Sequence, residues 1–283
     1  MSIPSFPLND GRSIPALAFG SGTALYNKDA SKPVAAAIRA GFRHIDAAQV
    51  YANEQHVGAG IAAAGVPRAE LFVTTKLDRL PAGQTVRDTL LASNAKLGVE
   101  HVDLFLIHMP NAHPDLAATW REMEAVQREG LARTIGVSNF LPKHLEQVLA
   151  VATIKPAVNQ IEYHPYVFKA SAAQLEIHKQ HGIVTESYGG LVPLTRGKGG
   201  PLDPVITKIA SARSITEGQV LQLWLRKKGV VVVTTTTKQE RLEEYLAVGT
   251  LPDLSDEEVE EIERVGSSHH HRAFCQWIEQ EKA

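Results

Sequence analysis

The chain has 283 residues, 44% of them hydrophobic, with no Ser- or Gly-rich linker, which suits one large α/β domain or two small ones. Its 29 basic and 31 acidic residues leave a formal charge of −2, too balanced to serve as an electrostatic footprint for nucleic acid or an anionic membrane. One cysteine, Cys275, excludes an internal disulfide, no uncharged apolar run approaches the ~18 residues of a membrane helix, and MSIPSFPLNDG lacks the segments of a secretion signal, so a soluble cytoplasmic protein with a small-molecule partner is expected.

In chain order, short β-rich apolar runs alternate with longer segments of helical spacing. "ALAFGSG" is followed by "KPVAAAIRA", "RHIDAA" by "NEQHVGAGIAAAG", "LFVTTK" by "VRDTLLASNAKLG" and "VDLFLIH" by "LAATWREMEAVQREG". "ARTIGVS" then precedes "KHLEQVLAVA", "AVNQIE" precedes "SAAQLEIHKQHG", "GIVTES" precedes "EGQVLQLWLRKKG", and "GVVVVTT" is the eighth run. The runs are continuously apolar rather than alternating, as parallel strands are when helices cover one face and a packed core fills the other. Eight such units predict an α/β protein with a (β/α)8 TIM barrel as a single domain over residues 1–283, a doubly wound open sheet being the alternative. Asn53 and Glu54 are read as a helix cap and a first-turn acid.

Active sites of such barrels form at the carboxyl ends of the strands. The polar residues there are Asp46, Lys76, His108, Ser138 with Asn139, Asn159 with Gln160, Tyr188, and Thr234 through Lys238. An ammonium on Lys76, ending an apolar strand, needs a carboxylate, and Asp46 is nearest in strand order. A cation beside Tyr51 is expected to lower the phenol's pKa from its ordinary ~10 and make it a proton donor, while a neutral His108 orients a substrate oxygen. A proton donor with no nucleophile or metal points to reduction by an outside hydride source. Ser138, Asn139 and Gln160 then suit a nicotinamide carboxamide, and Tyr188 suits its ring face. "GSGTAL" has Leu25 where a dinucleotide loop needs its third glycine, so Gly22 and Thr23 are read as a strand end near the cofactor. Neither His108 with His113 nor the consecutive His269, His270 and His271 has ligand spacing, and no metal is expected.

"GFRHIDAAQVYANEQHVG", "FVTTK", "VDLFLIHMP", "IGVSNF", "VNQIEYHP" and "KQERL" resemble, in order and spacing, the signatures of the aldo-keto reductases, over about Leu8 to Val265. The resemblance implies Tyr51 as general acid, Lys76 and Asp46 as its tuners, His108 as the carbonyl-orienting group, and Ser138, Asn139, Gln160 and Tyr188 around nicotinamide. It also implies NADPH, with Gly189 and Leu191 near the pyrophosphate and Thr235, Thr236, Thr237, Lys238 and Arg241 toward the 2′-phosphate. Three positions depart from the pattern. Thr235 stands where a Lys is common, Tyr245 where an Asn is common, and Gly189 and Gly190 replace a Ser-Pro pair. The run "TTTTKQER" further resembles fungal members acting on α-keto amides and ketopantoyl lactone.

The expected pocket comprises Tyr26 and Met109 with Phe274 and Trp277 from a tail over residues 266–283. A short loop after His108 leaves the mouth open, favouring α-dicarbonyls, keto lactones and activated aldehydes over aldoses. A monomer is expected. A regulatory subunit with little turnover, or a polyol or sugar dehydrogenase, are the competing functions, and the intact Asp46, Tyr51, Lys76 and His108 set argues for turnover.

Overall fold

The chain enters through an antiparallel hairpin, β1 (Ser5–Pro7) and β2 (Ser13–Pro15), with Phe6 opposite Ile14. Its three-residue strands, each ending in proline, carry no alternation long enough to read from sequence. They lay Leu8 and Ile14 on Leu104, Leu106, Val158 and Val231, which closes the amino end of the barrel. These coordinates are a computed structural model that describes residues 3–281; residues 1, 2, 282 and 283, at the edges of the expected domain and tail, lie outside the described residues.

The eight apolar runs form β3 (Leu17–Gly20), β4 (His44–Asp46), β5 (Phe72–Leu77), β6 (Val102–Ile107), β7 (Ala132–Ser138), β8 (Val158–Glu162), β9 (Val184–Tyr188) and β10 (Val231–Thr234). They pair in parallel in the order β10-β3-β4-β5-β6-β7-β8-β9 and close, as an open sheet would not. Alternate residues face opposite sides of a strand, so on β6 Leu104 and Leu106 fill the barrel while Phe105 and Ile107 join the layer under the helices. The same period places His44 with Asp46, Thr74 with Lys76, Gln160 with Glu162, and Glu186 with Tyr188 on inward faces.

Around the barrel run α1 (Ser31–Ala40), α2 (Glu54–Ala64), α3 (Val86–Leu97), α4 (Leu116–Arg128), α5 (Pro142–Leu149) and α6 (Ala172–His181). Two helices follow β9 where the sequence points to one, α7 (Asp203–Arg213) and α8 (Glu217–Lys227), and then come α9 (Gln239–Ala247), α10 (Asp256–Gly266) and α11 (Trp277–Glu281). Thr85 with Asp88, Thr216 with Gln219 and Ser255 with Glu258 form reciprocal capping boxes that satisfy the first amides of α3, α8 and α10. The aromatic bodies of Trp120 and Trp224 are fully buried in the layer between helices and barrel.

Gly58 lets α2 rest on the end of α3: a Cβ there would stand 2.5 Å from the Lys96 carbonyl oxygen and 2.7 Å from the Leu97 carbonyl. Alanine in an exposed helix stabilises by ~0.5–1 kcal/mol relative to glycine. At Gly58 the sign is expected to reverse, with Gly58→Ala costing about 1–3 kcal/mol as overpacking. Urea unfolding reads this as a lower midpoint at unchanged slope; a raised midpoint would contradict the close approach.

Candidate active site

The centre of the site is a charge inside the barrel. Lys76 on β5 is wholly buried, and its Nζ donates to Asp46 Oδ1 and Oδ2, both at 2.7 Å, and to the Ala47 carbonyl at 2.9 Å. The same Nζ stands 3.4 Å from the Tyr51 hydroxyl and 5.1 Å from the centre of that ring. Burial works to discharge Lys76, but Asp46, Tyr51 and Glu186 together hold its pKa above the ordinary lysine value. His108, leaving β6, sets its ring edge-on to Tyr51 at 5.6 Å. Burial, and then the Lys76 cation, pull the imidazole down to about 3, so it is neutral at physiological pH.

For Tyr51 the structure corrects the sequence expectation. Burial is the largest influence and raises the phenol's pKa, with Lys76 only opposing it. Tyr51 therefore rests as a protonated phenol, with the Lys76 ammonium beside its hydroxyl.

Local structure sets Tyr51 in place. It ends a single 3-10 turn, Gln49–Tyr51, which Gln49 ties down by donating to Ser93 Oγ at 3.1 Å and accepting the Asp78 amide at 2.9 Å. Asn53 occupies the N-cap position of α2 but makes no side-chain cap bond. Its Nδ2 instead donates to the carbonyls of Ser21 and Leu25, each at 2.8 Å, holding the loop after β3 over the barrel. Glu54 is likewise a buried tie rather than a solvated first-turn acid, accepting from Thr75 Oγ1 at 2.7 Å and Ser93 Oγ at 3.2 Å.

A cavity of about 770 Å³ opens above this group, bordered by Asp46, Tyr51, His108, Asn139, Gln160 and Tyr188 at its floor and sides. Gly22, Thr23, Tyr26, Met109, Gly189, Leu191, Thr235 and Phe274 also border it. Ser138 does not; it lies beneath, donating to the Gln160 carbonyl at 2.8 Å and accepting from Asn139 Nδ2 at 3.0 Å. Tyr188 donates its hydroxyl to Asn139 Oδ1 at 2.6 Å. Thr236, Thr237 and Lys238 lie past the wall on the turn from β10 into α9, and Arg241 follows in the first turn of α9, where it already holds Glu244 at 2.8 and 2.9 Å. Trp277 departs from the expected pocket: its indole tilts against His144 at 6.2 Å and leaves the cavity wall to Phe274 and Cys275.

Sequence reasoning passes over four residues that shape this site. Glu186 and Glu162 interrupt apolar strands, two places from Tyr188 and Gln160, and that spacing is the signal that both point inward. Glu162 accepts the amides of Ala273 at 2.7 Å and Phe274 at 3.0 Å and lies 3.5 Å from Arg272, which pins the tail to the barrel mouth. Cys275 follows in a left-handed conformation, φ 47°, and Arg196 stacks its guanidinium 4.4 Å from the centre of the Phe274 ring. Nothing in the local sequence marks these last two.

A model of the Aldo/keto reductase family matches residues 16–267. The chain belongs to that family. It is 37% identical to the NAD/NADP-dependent indole-3-acetaldehyde reductase of Schizosaccharomyces pombe over 95% of this chain and 98% of the relative. Identity to the morphine 6-dehydrogenase of Pseudomonas putida is 39%, covering 93% and 91% of the two chains. Among solved structures, a Bombyx mori aldo-keto reductase in complex with NADP superposes with a TM-score of 0.84 at 33% identity, covering 98% of this chain and 97% of that one.

Aldo-keto reductases take a nicotinamide cofactor, and the residues here fit one. Thr235 borders the cavity, its buried Oγ1 has no hydrogen-bond partner among the described residues, and Asn139 and Gln160 bring amide groups to the cavity floor. Gly22 and Gly190 keep the walls thin, since a Cβ would meet the Tyr51 ring at 2.9 Å or Leu225 at 2.5 Å. Among the described residues no three His, Cys, Asp or Glu side chains converge to hold a metal, and no helix is long and apolar enough to cross a membrane.

His108, at about 3 in the fold against an ordinary ~6.5, binds its proton more readily in the unfolded chain. Protonation therefore opposes folding, and this residue's contribution is whole above pH ~6.5 and lost as the pH falls toward 3. Its ring resonances are expected to stay at their neutral positions from pH 8 to about 5. An NMR titration midpoint near 6.5 would contradict the burial.

Proposed function

We propose that this aldo-keto reductase reduces activated aldehydes, α-dicarbonyls and keto lactones to alcohols with NADPH, Tyr51 supplying the proton. The observation that carries the reading is the Lys76 ammonium held between the Asp46 carboxylate and the Tyr51 hydroxyl at the floor of an open cavity. NADPH, when bound, supplies the hydride. Neutral His108 donates a hydrogen bond to the substrate carbonyl and turns its oxygen toward Tyr51. As that oxygen gains negative charge, Tyr51 gives it the phenolic proton, and Lys76 stabilises the phenolate left behind. Asp46 keeps the ammonium in place, and the carbonyl carbon ends as an alcohol carbon.

Preference for NADPH would come from Lys238 and Arg241, with Thr235, Thr236 and Thr237 around the phosphate. Because Arg241 is engaged by Glu244, the margin over NADH is modest. The Schizosaccharomyces pombe relative is named for both coenzymes and for an aldehyde, in line with this. For the substrate, Met109 is the one residue of the loop 109–115 that borders the cavity among those described, so no flap narrows the mouth from that side. The "TTTTKQER" run adds its likeness to fungal keto-lactone reducers. One chain holds every residue named, which supports a monomeric catalytic unit built on the whole barrel, with the tail from residue 266, described to residue 281, as its cover. A single free thiol suits a cytoplasmic setting. The Pseudomonas putida relative is named a dehydrogenase, which favours a second reading in which the same groups run in reverse on an alcohol.

Tyr51→Phe is expected to lower kcat at least ~10²-fold with NADPH binding nearly unchanged, and Lys76→Met to match it. The double variant should be little worse than either, since the two act as one unit. Turnover with fluorescence titration decides; a Tyr51→Phe enzyme near wild-type kcat ends the acid assignment. Over a substrate panel with each coenzyme, kcat/KM is expected to be highest for ketopantoyl lactone or an aromatic α-diketone with NADPH. Xylose as the best substrate, or NADH as the better coenzyme, would overturn the corresponding part.

A further inference from the structure

Resting on the cofactor reading above, the geometry points to Glu186 as a positioning residue. With Asp46 it holds both amide hydrogens of Gln160, so that Gln160 offers the cavity only its carbonyl oxygen. The site then selects a ligand group that carries N–H donors, such as the nicotinamide carboxamide.

Gln160 and Glu186 sit opposite one another in the β8–β9 register, both with inward side chains. Gln160 Nε2 donates to Glu186 Oε2 beside it at 2.9 Å and to Asp46 Oδ1 across the barrel at 2.9 Å. A primary amide nitrogen has two hydrogens, and these acceptors take both. Turning the amide over would face its oxygen to the Asp46 carboxylate in a buried space, so its orientation is set by chemistry, and Glu186 takes the hydrogen that Asp46 leaves. Gln160 borders the cavity, and both side-chain hydrogen bonds it makes among the described residues come from Nε2, which leaves Oε1 for a ligand.

Glu186 is fully buried, and no part of the proton transfer uses it. Its Oε1 has no hydrogen bond; the nearest basic group is His44 Nε2 at 3.8 Å, itself bonded to Thr74 Oγ1 at 2.8 Å. Burial, and then the Asp46 charge, push its carboxyl up to about 8, against Gln160 and Lys76. A neutral acid still accepts an amide hydrogen while sparing Asp46 a second negative neighbour. Among the described residues its one hydrogen-bonded partner is the Gln160 amide.

The test compares binding of NADP+ with that of 3-acetylpyridine adenine dinucleotide phosphate, whose methyl ketone replaces the carboxamide and has no N–H. Tryptophan fluorescence gives both dissociation constants. The wild type is expected to favour NADP+ by about tenfold, the size of one net hydrogen bond. Glu186→Leu and Glu186→Met leave the amide held by Asp46 alone, with its second hydrogen unpaired and able to swing toward the cavity, and should lower the ratio toward about twofold. Gln160→Met, which removes the acceptor, should bring it within about twofold. Glu186→Gln keeps an acceptor oxygen and should retain the wild-type ratio. An unchanged ratio in the Leu, Met or Gln160→Met proteins overturns the inference, as does its loss in Glu186→Gln. If a Glu186 variant does not fold, Gln160→Met and Glu186→Gln still decide. A wild type that binds NADP+ but not selectively refutes the role of Glu186 alone, whereas one that binds neither nucleotide refutes the cofactor reading beneath it.

Discussion

A lysine ammonium taken wholly out of water costs several kcal/mol unless its hydrogens find charged or polar acceptors. At Lys76 the acceptors are the two oxygens of Asp46 and the Ala47 carbonyl, and each stands where it does only because β4 and β5 lie side by side in a closed barrel. The register pairs Asp46 with Thr74, so Lys76, two places further, reaches back across one strand to the carboxylate. The pair, once formed, places Tyr51 and His108. The phenol approaches the one side of the ammonium the carboxylate leaves open, and the imidazole is kept neutral by burial and by that cation.

The carboxyl groups around this charge are divided by environment. Asp46 sits against the cation. Glu186, reached only through the Gln160 amide, is pushed toward the neutral acid, so the barrel interior carries one compensated pair instead of an excess anion. Glu162, two residues beyond Gln160 on β8 and level with Tyr188, answers to Arg272, His164 and the amides of the tail. Three acids on inward faces thus have three different partners: the Lys76 ammonium for Asp46, the Gln160 amide for Glu186, and for Glu162 the tail that brings Phe274 and Cys275 to the cavity.

Much of this was legible in the residues. Continuous apolar runs predict buried parallel strands, and all eight closed into the barrel because every strand has helices outside and side chains within. The strand-end rule picked out Asp46, His108, Asn139, Gln160 and Tyr188, which border one cavity, and Lys76, which lies buried against Asp46 beneath it. Local reading does worse where a residue's partner is remote. Asn53 and Glu54 look like a helix start, yet they bond across to Ser21, Leu25, Thr75 and Ser93. Trp277 looks like a pocket wall by size, but the tail turns it onto His144.

By itself the sequence determined the barrel, its family and the chemical types at the strand ends, because periodicity and motif order are local properties of the chain. Tertiary structure alone decided the electrostatics. The rises in the Tyr51 and Glu186 pKa and the engagement of Arg241 by Glu244 follow from burial and from which charges meet across the closed sheet or within a helix. Desolvation depends on everything packed around a group, and no short stretch of sequence contains that information.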